Sequence, residues 1–284
     1  MTPAELKTFF VHDLGWGWSP QARLVFEFLC RVAQDCEGGV LLDAGAGRQR
    51  YRPFFAGCIY LTQEHPGGIE HKGMHDVSYD LVAPIDESIP LVDESLDGVF
   101  STSVLEHVRY PSRFCAEAFR VLRPGARLYT HVPFTYPEHE VPYDFQRPTR
   151  FGLQRWLEDA GFVEVELTPT SSDIFAATAF LRYSVTNDTV RRRGLSRRTL
   201  RPRTPAEVGE LLRGLPALAS YLGLSALTGS LARLLTSVLD RGPHAGTDYP
   251  IGWLAVGRKP GSAPRRRPES KAQFLQEHRL TEML

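Results

Sequence analysis

The residues Asp43-Ala44-Gly45-Ala46-Gly47 follow the apolar pair Leu41-Leu42, so a carboxylate closes a buried run just before two closely spaced glycines. Glycines at such a turn let backbone approach a ligand with no side chain between. A pyrophosphate-binding turn wants a third glycine where this chain has Arg50, and a carboxylate beside the turn repels phosphate. Negative charge there suits a cationic ligand. The same spacing also fits a plain tight turn between strand and helix. Glu64 stands seventeen residues after Gly47, at the end of a second apolar run. A carboxylate placed there can accept hydrogen bonds from both hydroxyls of a ribose, although a surface glutamate would read the same way. Cys30, Cys36, Cys58 and Cys115 show no paired or metal-ligand spacing and read as buried thiols. No metal site is expected.

These groups need elements to hold them. Ser19-Pro20 starts a helix as N-cap and first-turn proline, and Leu24, Val25, Phe28, Leu29 and Val32 fall on one stripe of residues 21–33. Residues 40–43 form a short apolar run, the pattern of a buried parallel strand. Further strands are expected over 58–63, 98–101, 126–132, 163–168 and 253–257. Helices are expected over 111–122, stopped by Arg123-Pro124-Gly125, and after Thr149, closed by Gly161. Strands alternating with helices make a doubly wound sheet. The expected division is a helical cap or lid over 1–39, a core over 40–170, a helical insertion over 171–247, a final core strand within 248–260 and a basic tail over 261–284, partly disordered and ending in a short helical pattern. The aromatic residues Phe9, Phe10, Trp16 and Trp18 could fold over a site as a lid or pack on the domain.

The chain has 284 residues, with 33 basic and 33 acidic side chains that cancel. No global field draws it to nucleic acid or a membrane, and no RNA-binding module pattern is present. No run reaches the roughly 18 apolar residues of a membrane span, and the N-terminus lacks a signal-peptide core. A cytoplasmic protein, monomeric or homodimeric, is expected. Seven arginines within 191–203 are a local exception, suited to an anionic acceptor, a phospholipid surface, nucleic acid, another protein or plain solvent. Residues 222–239 carry few charges and should pack on something, which leaves peripheral lipid contact open.

Taken in order, the motifs resemble those of the class I S-adenosylmethionine-dependent methyltransferases, of the small-molecule type with an "LEHV" segment. Leu41 to Gly47 is similar to their first motif, and Tyr60-Leu61-Thr62-Gln63-Glu64 to their ribose-binding strand. Pro90-Leu91-Val92-Asp93-Glu94-Ser95-Leu96-Asp97-Gly98-Val99-Phe100 resembles "LPFPDESFDVV". Ser103-Val104-Leu105-Glu106-His107-Val108 is close to "EVLEHV", and Glu117 to Ala126 resembles "E-x-x-R-V-L-K-P-G-G". The resemblance spans residues 40–132. It implies an α/β fold, doubly wound and Rossmann-like, with a seven-stranded mostly parallel sheet and a helical insertion before the last strand. It implies S-adenosylmethionine as cofactor and S-adenosylhomocysteine as product. Asp43, Ala44, Gly45, Ala46 and Gly47 would surround the methionine moiety, Glu64 would take the ribose, and Ser101, Thr102 and Ser103 would lie beneath the reacting methyl. The stretch 80–90 is longer than usual, so Asp80 and Asp86 both stand as adenine contacts. Arg48-Gln49-Arg50 departs from the family, and an arginine there could reach the cofactor carboxylate.

Methyl transfer to oxygen or nitrogen needs a proton acceptor, and histidine is suited to that near neutrality. His107 and His131 are the candidates, each near the end of a central strand. His139, Tyr143, Asp144 and Arg147 lie on a long loop where an acceptor would bind. The segment Tyr143 to Thr149 resembles the "DFYRYT" stretch of one methyltransferase subgroup, though an Asp144–Arg147 pair could equally hold a structural turn. The leading expectation is biosynthetic methyl transfer to a small acceptor (a natural product, sugar or lipid-linked molecule), with oxygen favoured over nitrogen or carbon. The alternatives are a non-methylating enzyme on the same fold, such as a cyclase using bound cofactor, and a non-catalytic binding protein.

Overall fold

The structure, a computed structural model, describes residues 1–15, 19–192, 223, 227, 230, 231, 234, 238, 247–263 and 268–280. Seven strands form one sheet: β1 (Val40–Ala44), β2 (Ile59–Glu64), β3 (Leu81–Val82), β4 (Leu96–Thr102), β5 (Leu122–Pro133), β6 (Val163–Pro169) and β7 (Gly252–Arg258). Their order is β3-β2-β1-β4-β5-β7-β6. The first five run parallel, whereas β7 is antiparallel to both β5 and β6. The sheet is therefore the mostly parallel, doubly wound one that the motifs implied. The order reverses between β1 and β4, which leaves a crevice outside their C-terminal ends.

The alternation of a strand sorts its side chains to two faces. Val40, Leu42 and Ala44 join one core with Phe114, Ala118 and Val121 of the helix Pro111–Val121 and with Leu153 and Leu157 of Arg150–Asp159. Leu41 joins the other, with Tyr60, Phe100, Tyr129 and the stripe Val25, Phe28, Leu29 and Val32 of the helix Pro20–Asp35. That helix starts where expected, with the Ser19 hydroxyl accepting from the Ala22 amide at 3.1 Å. Phe10 is fully buried, edge-on to Phe26 and Phe54, so this aromatic residue packs on the domain. Trp16 and Trp18 lie outside the described residues.

Two elements differ from expectation. β5 begins at Leu122 and passes through Arg123-Pro124-Gly125, because Arg123 turns inward to Asp97 at 2.5 Å and Gly125 takes a φ of 86°. β3 has only two residues, too few to give a period. The short helical pattern at the end of the tail is a packed helix, Lys271–His278, which buries Phe274 and sets Lys271 Nζ 2.6 Å from Asp80.

Two compact units divide the chain, Met1–Thr170 with Ile251–Leu284, and Ser171–Pro250. In the second, the helix Asp173–Arg192 begins with Asp173 accepting from the amides of Asp248 and Tyr249. Residues 193–203 of the arginine run lie outside the described residues, as does 205–212. Of 222–239, the described positions are helical, and Leu227, Leu231, Leu234 and Val238 are exposed. No helix among the described residues is long and apolar enough to cross a membrane.

Candidate active site

The glycine turn closes β1 at the crevice. Gly45 and Gly47 have φ values of 81° and 51°, which L side chains rarely adopt. A Cβ on Gly45 would stand 2.5 Å from Val104, so only glycine lets the turn lie against the segment after β4. At Gly47 the corresponding position is open, with nothing within 4 Å. The amides of Gly45 and Ala46 both donate to the Gln63 carbonyl, which ties the turn to β2. Arg48 pairs with Asp76 at 2.9 Å and Arg50 donates to the Leu14 carbonyl at 2.8 Å. Both arginines, which the sequence offered to the cofactor carboxylate, are thus engaged by partners within the chain.

Glu64 ends β2 beside this turn. Its Oε2 accepts from the Gly47 amide at 2.7 Å and its Oε1 from the His65 amide at 3.0 Å. Each oxygen has further lone pairs for ribose hydroxyls. Tyr79, which the sequence reading did not single out, donates to the Gly47 carbonyl at 2.9 Å. Of the two adenine candidates, Asp80 precedes β3, accepts from the Thr62 amide and hydroxyl, and pairs with Lys271. Asp86 follows β3 and accepts from the Tyr110 amide at 3.3 Å, at the start of the helix that leaves the crevice.

Asp43 does not line the crevice. It is 2% exposed, and its carboxylate accepts from the Tyr60 hydroxyl beneath the turn. Burial pushes its pKa up to about 7, and the Tyr60 hydrogen bond only partly offsets this. The folded chain thus keeps a proton that an unfolded aspartate releases near pH 4. Asp43's contribution to stability should be full below about pH 4, fall as the pH rises to about 7, and stay level above. Asp43→Asn should flatten that slope in urea melts across this range. An unchanged slope would show that Asp43 is ionised in the fold.

The end of β4 differs too. Ser101 is fully buried and donates to the Ala44 carbonyl at 2.9 Å, a tie between central strands. Thr102 is half-buried, and Ser103 is exposed with a φ of 52°. The Ser103 hydroxyl lies 3.2 Å from His131 Nδ1. His131 Nε2 is buried beside Gly252 without a hydrogen-bond partner. Burial pushes the His131 pKa down to about 4, so this imidazole is a weak base.

Residues 134–149 and the 3-10 turn Leu105–His107 build the other wall. Asp144 and Arg147 form a bidentate pair at 2.6 and 2.7 Å. Arg147 also donates to the carbonyls of Tyr136, Pro137 and Gln146, while Asp144 accepts from the His139 amide. The pair therefore holds the loop. Tyr143 is exposed, and its carbonyl lies 2.5 Å from His107 Nδ1. Burial lowers the His107 pKa. Glu106 is 0% exposed, and neither carboxylate oxygen has a hydrogen-bond partner. Burial raises its pKa to about 8. The sequence placed Glu106 in a motif and gave it no role; its exposure was not visible there.

Residues 42–130 match the methyltransferase domain family. A probable S-adenosylmethionine-dependent methyltransferase of Mycolicibacterium smegmatis is 28% identical over 160 residues, covering 53% of this chain and 61% of that protein. An uncharacterised methyltransferase of Mycobacteroides abscessus is 33% identical over 96 residues, covering 31% and 37%. The matches to the first curated relatives span about a third of those proteins' length. Haemonchus contortus phosphoethanolamine N-methyltransferase 2, solved with S-adenosylhomocysteine, is 13% identical with a TM-score of 0.49, covering 92% of this chain and 59% of that one. Over residues 42–130 the chain is thus similar to methyltransferase domains.

Proposed function

We propose that this chain, whose residues 42–130 match the methyltransferase domain family, moves a methyl group from S-adenosylmethionine to a small organic acceptor, with an oxygen as the receiving atom. The observation that carries the reading is Glu64, a carboxylate set at the end of β2 and bonded to the amide of Gly47 beside an open glycine turn. The residues suit the donor. Backbone at Gly45, Ala46 and Gly47 would face its methionine part, Glu64 its ribose and the region of Asp86 its adenine. The donor supplies an electrophilic methyl on a sulfonium that leaves as a neutral thioether. What the chain contributes is placement and exclusion of water.

Exposed Tyr136, Tyr143 and Phe145 on the 134–149 loop offer apolar and aromatic surface to an acceptor's body. Between the two histidines, His107 is the one on that loop's side, whereas His131 backs Ser103. Because Arg147 organises the loop from within, Arg147→Ala should leave donor affinity within about twofold and slow transfer about a hundredfold, the scale that an ångström of misplacement costs. Calorimetry and single-turnover rates separate the two effects. Equal loss of donor affinity would put Arg147 in the donor site instead.

The reading is tested by incubating the full chain with methyl-labelled S-adenosylmethionine and a panel of phenols, sugars and lipid-linked alcohols. Label moving to a hydroxyl supports it. Donor binding with no transfer to any acceptor, in the panel or in a cell extract, would count against it.

A further inference from the structure

We propose that Glu106, His107 and His139 form a binding site for one divalent transition-metal ion of the zinc class. One ligand atom from each lies within 4.8 Å of the others, and Glu106 Oε1 is 3.8 Å from both His107 Nε2 and His139 Nε2. The two rings meet edge to face with centroids 4.7 Å apart. Ligands of a tetrahedral zinc stand about 3.3 Å apart, so shifts of less than about an ångström per side chain would close the set.

Three features favour an ion over a chance meeting of polar groups. First, Glu106 is completely buried and both its oxygens lack hydrogen-bond partners, although buried polar groups almost always find one. An ion would supply what the fold leaves out. Second, both rings are held as metal-binding histidines are, by the nitrogen that would not bind. His107 Nδ1 is 2.5 Å from the Tyr143 carbonyl. His139 Nδ1 is 3.2 Å from the Pro137 carbonyl and 3.3 Å from Asp144 Oδ2, nearer than the 3.4 Å approach of Arg147. A proton on each Nδ1 leaves an Nε2 lone pair facing Glu106. Third, Glu140 offers a fourth oxygen, 3.7 Å from His107 Nε2 and held by Lys72 at 2.8 Å. Ser103 and Glu140, which flank the cluster in sequence, both carry positive φ, a strain that gathers at functional sites.

The donor set indicates the metal. Two imidazoles with carboxylate and no thiolate suit zinc, cobalt, iron or nickel, while calcium and magnesium prefer oxygen alone. The site does not depend on the methyl-transfer reading, since binding can be measured with no donor present.

The test uses the full chain, stripped with chelator and titrated with Zn2+ by calorimetry and with Co2+ by visible absorption. One ion per chain is expected, with d–d bands of nitrogen and oxygen ligands and a rise in melting temperature. Glu106→Gln keeps the buried volume and His139→Ala lies on a loop. Each should lower affinity more than tenfold, since even outer partners of metal ligands cost about that. Surface variant His75→Ala should bind as the parent does. No binding, or binding unchanged in Glu106→Gln and His139→Ala, would overturn the site. A chain that binds S-adenosylmethionine but no metal sinks this inference alone; one that binds metal but no donor sinks the proposed function and leaves the site standing.

Discussion

Glu64→Gln is expected to weaken S-adenosylmethionine binding by about ten- to a hundredfold, the worth of hydrogen bonds to a charged group. The fold should survive, because the new amide oxygen can still accept from Gly47, now 2.7 Å from Glu64 Oε2. What goes is the anionic acceptor for two hydroxyls, replaced by a group with one acceptor and an NH2 that competes as a donor. Equilibrium dialysis with labelled donor reads the loss, and a melting curve close to the parent's shows that the turn is intact. Affinity within about twofold of the parent would move the ribose away from β2.

The largest stability effect is expected at Asp97. Its Oδ2 accepts from the Val40 amide at 2.7 Å and from Arg123 Nη2 at 2.5 Å, with both side chains 10% exposed or less. Asp97→Ala would leave a guanidinium and a strand amide buried without that carboxylate, a loss of about 3–5 kcal/mol. Melting temperature should fall by about 10 °C, given a few degrees per kcal/mol in a domain of this size. Arg23→Ala, which breaks a pair 67% and 54% exposed, should move it hardly at all. A shift under about 2 °C for Asp97→Ala would mean that the barrier to burying Arg123 alone is met some other way.

Much of the fold was legible because its strands and helices have clean periods. Val40, Leu41, Leu42 and the stripe from Val25 to Val32 announce a sheet with a covering helix, and both are buried as read. Several motif residues turned out to serve structure. Glu117 and Arg120 of the "E-x-x-R" stretch pin the chain at Ile89 and Leu91, with Arg120 donating to both carbonyls and Glu117 accepting from the Ile89 amide. Asp97 and Arg123, each in a different motif, are the two halves of one buried pair. Asp43 likewise sits below its turn and not in the crevice.

What the sequence hid were features set by distance along the chain. β3 is two residues long, and the helix Pro66–Lys72 opens with proline and two glycines, a run that reads as a turn. The cluster at Glu106 needs His139, which arrives from an irregular loop that no periodicity describes. The acidic candidates Asp80 and Asp86 looked equivalent until Lys271, from the far end of the chain, claimed one of them.

The donor site is tested most directly by a crystal structure of the full chain soaked with S-adenosylhomocysteine. The expected result is density across the C-terminal ends of β1 and β2, with both ribose hydroxyls within hydrogen-bond distance of Glu64. Density for the ligand elsewhere, or a ribose that leaves Glu64 bonded to Gly47 alone, would contradict it.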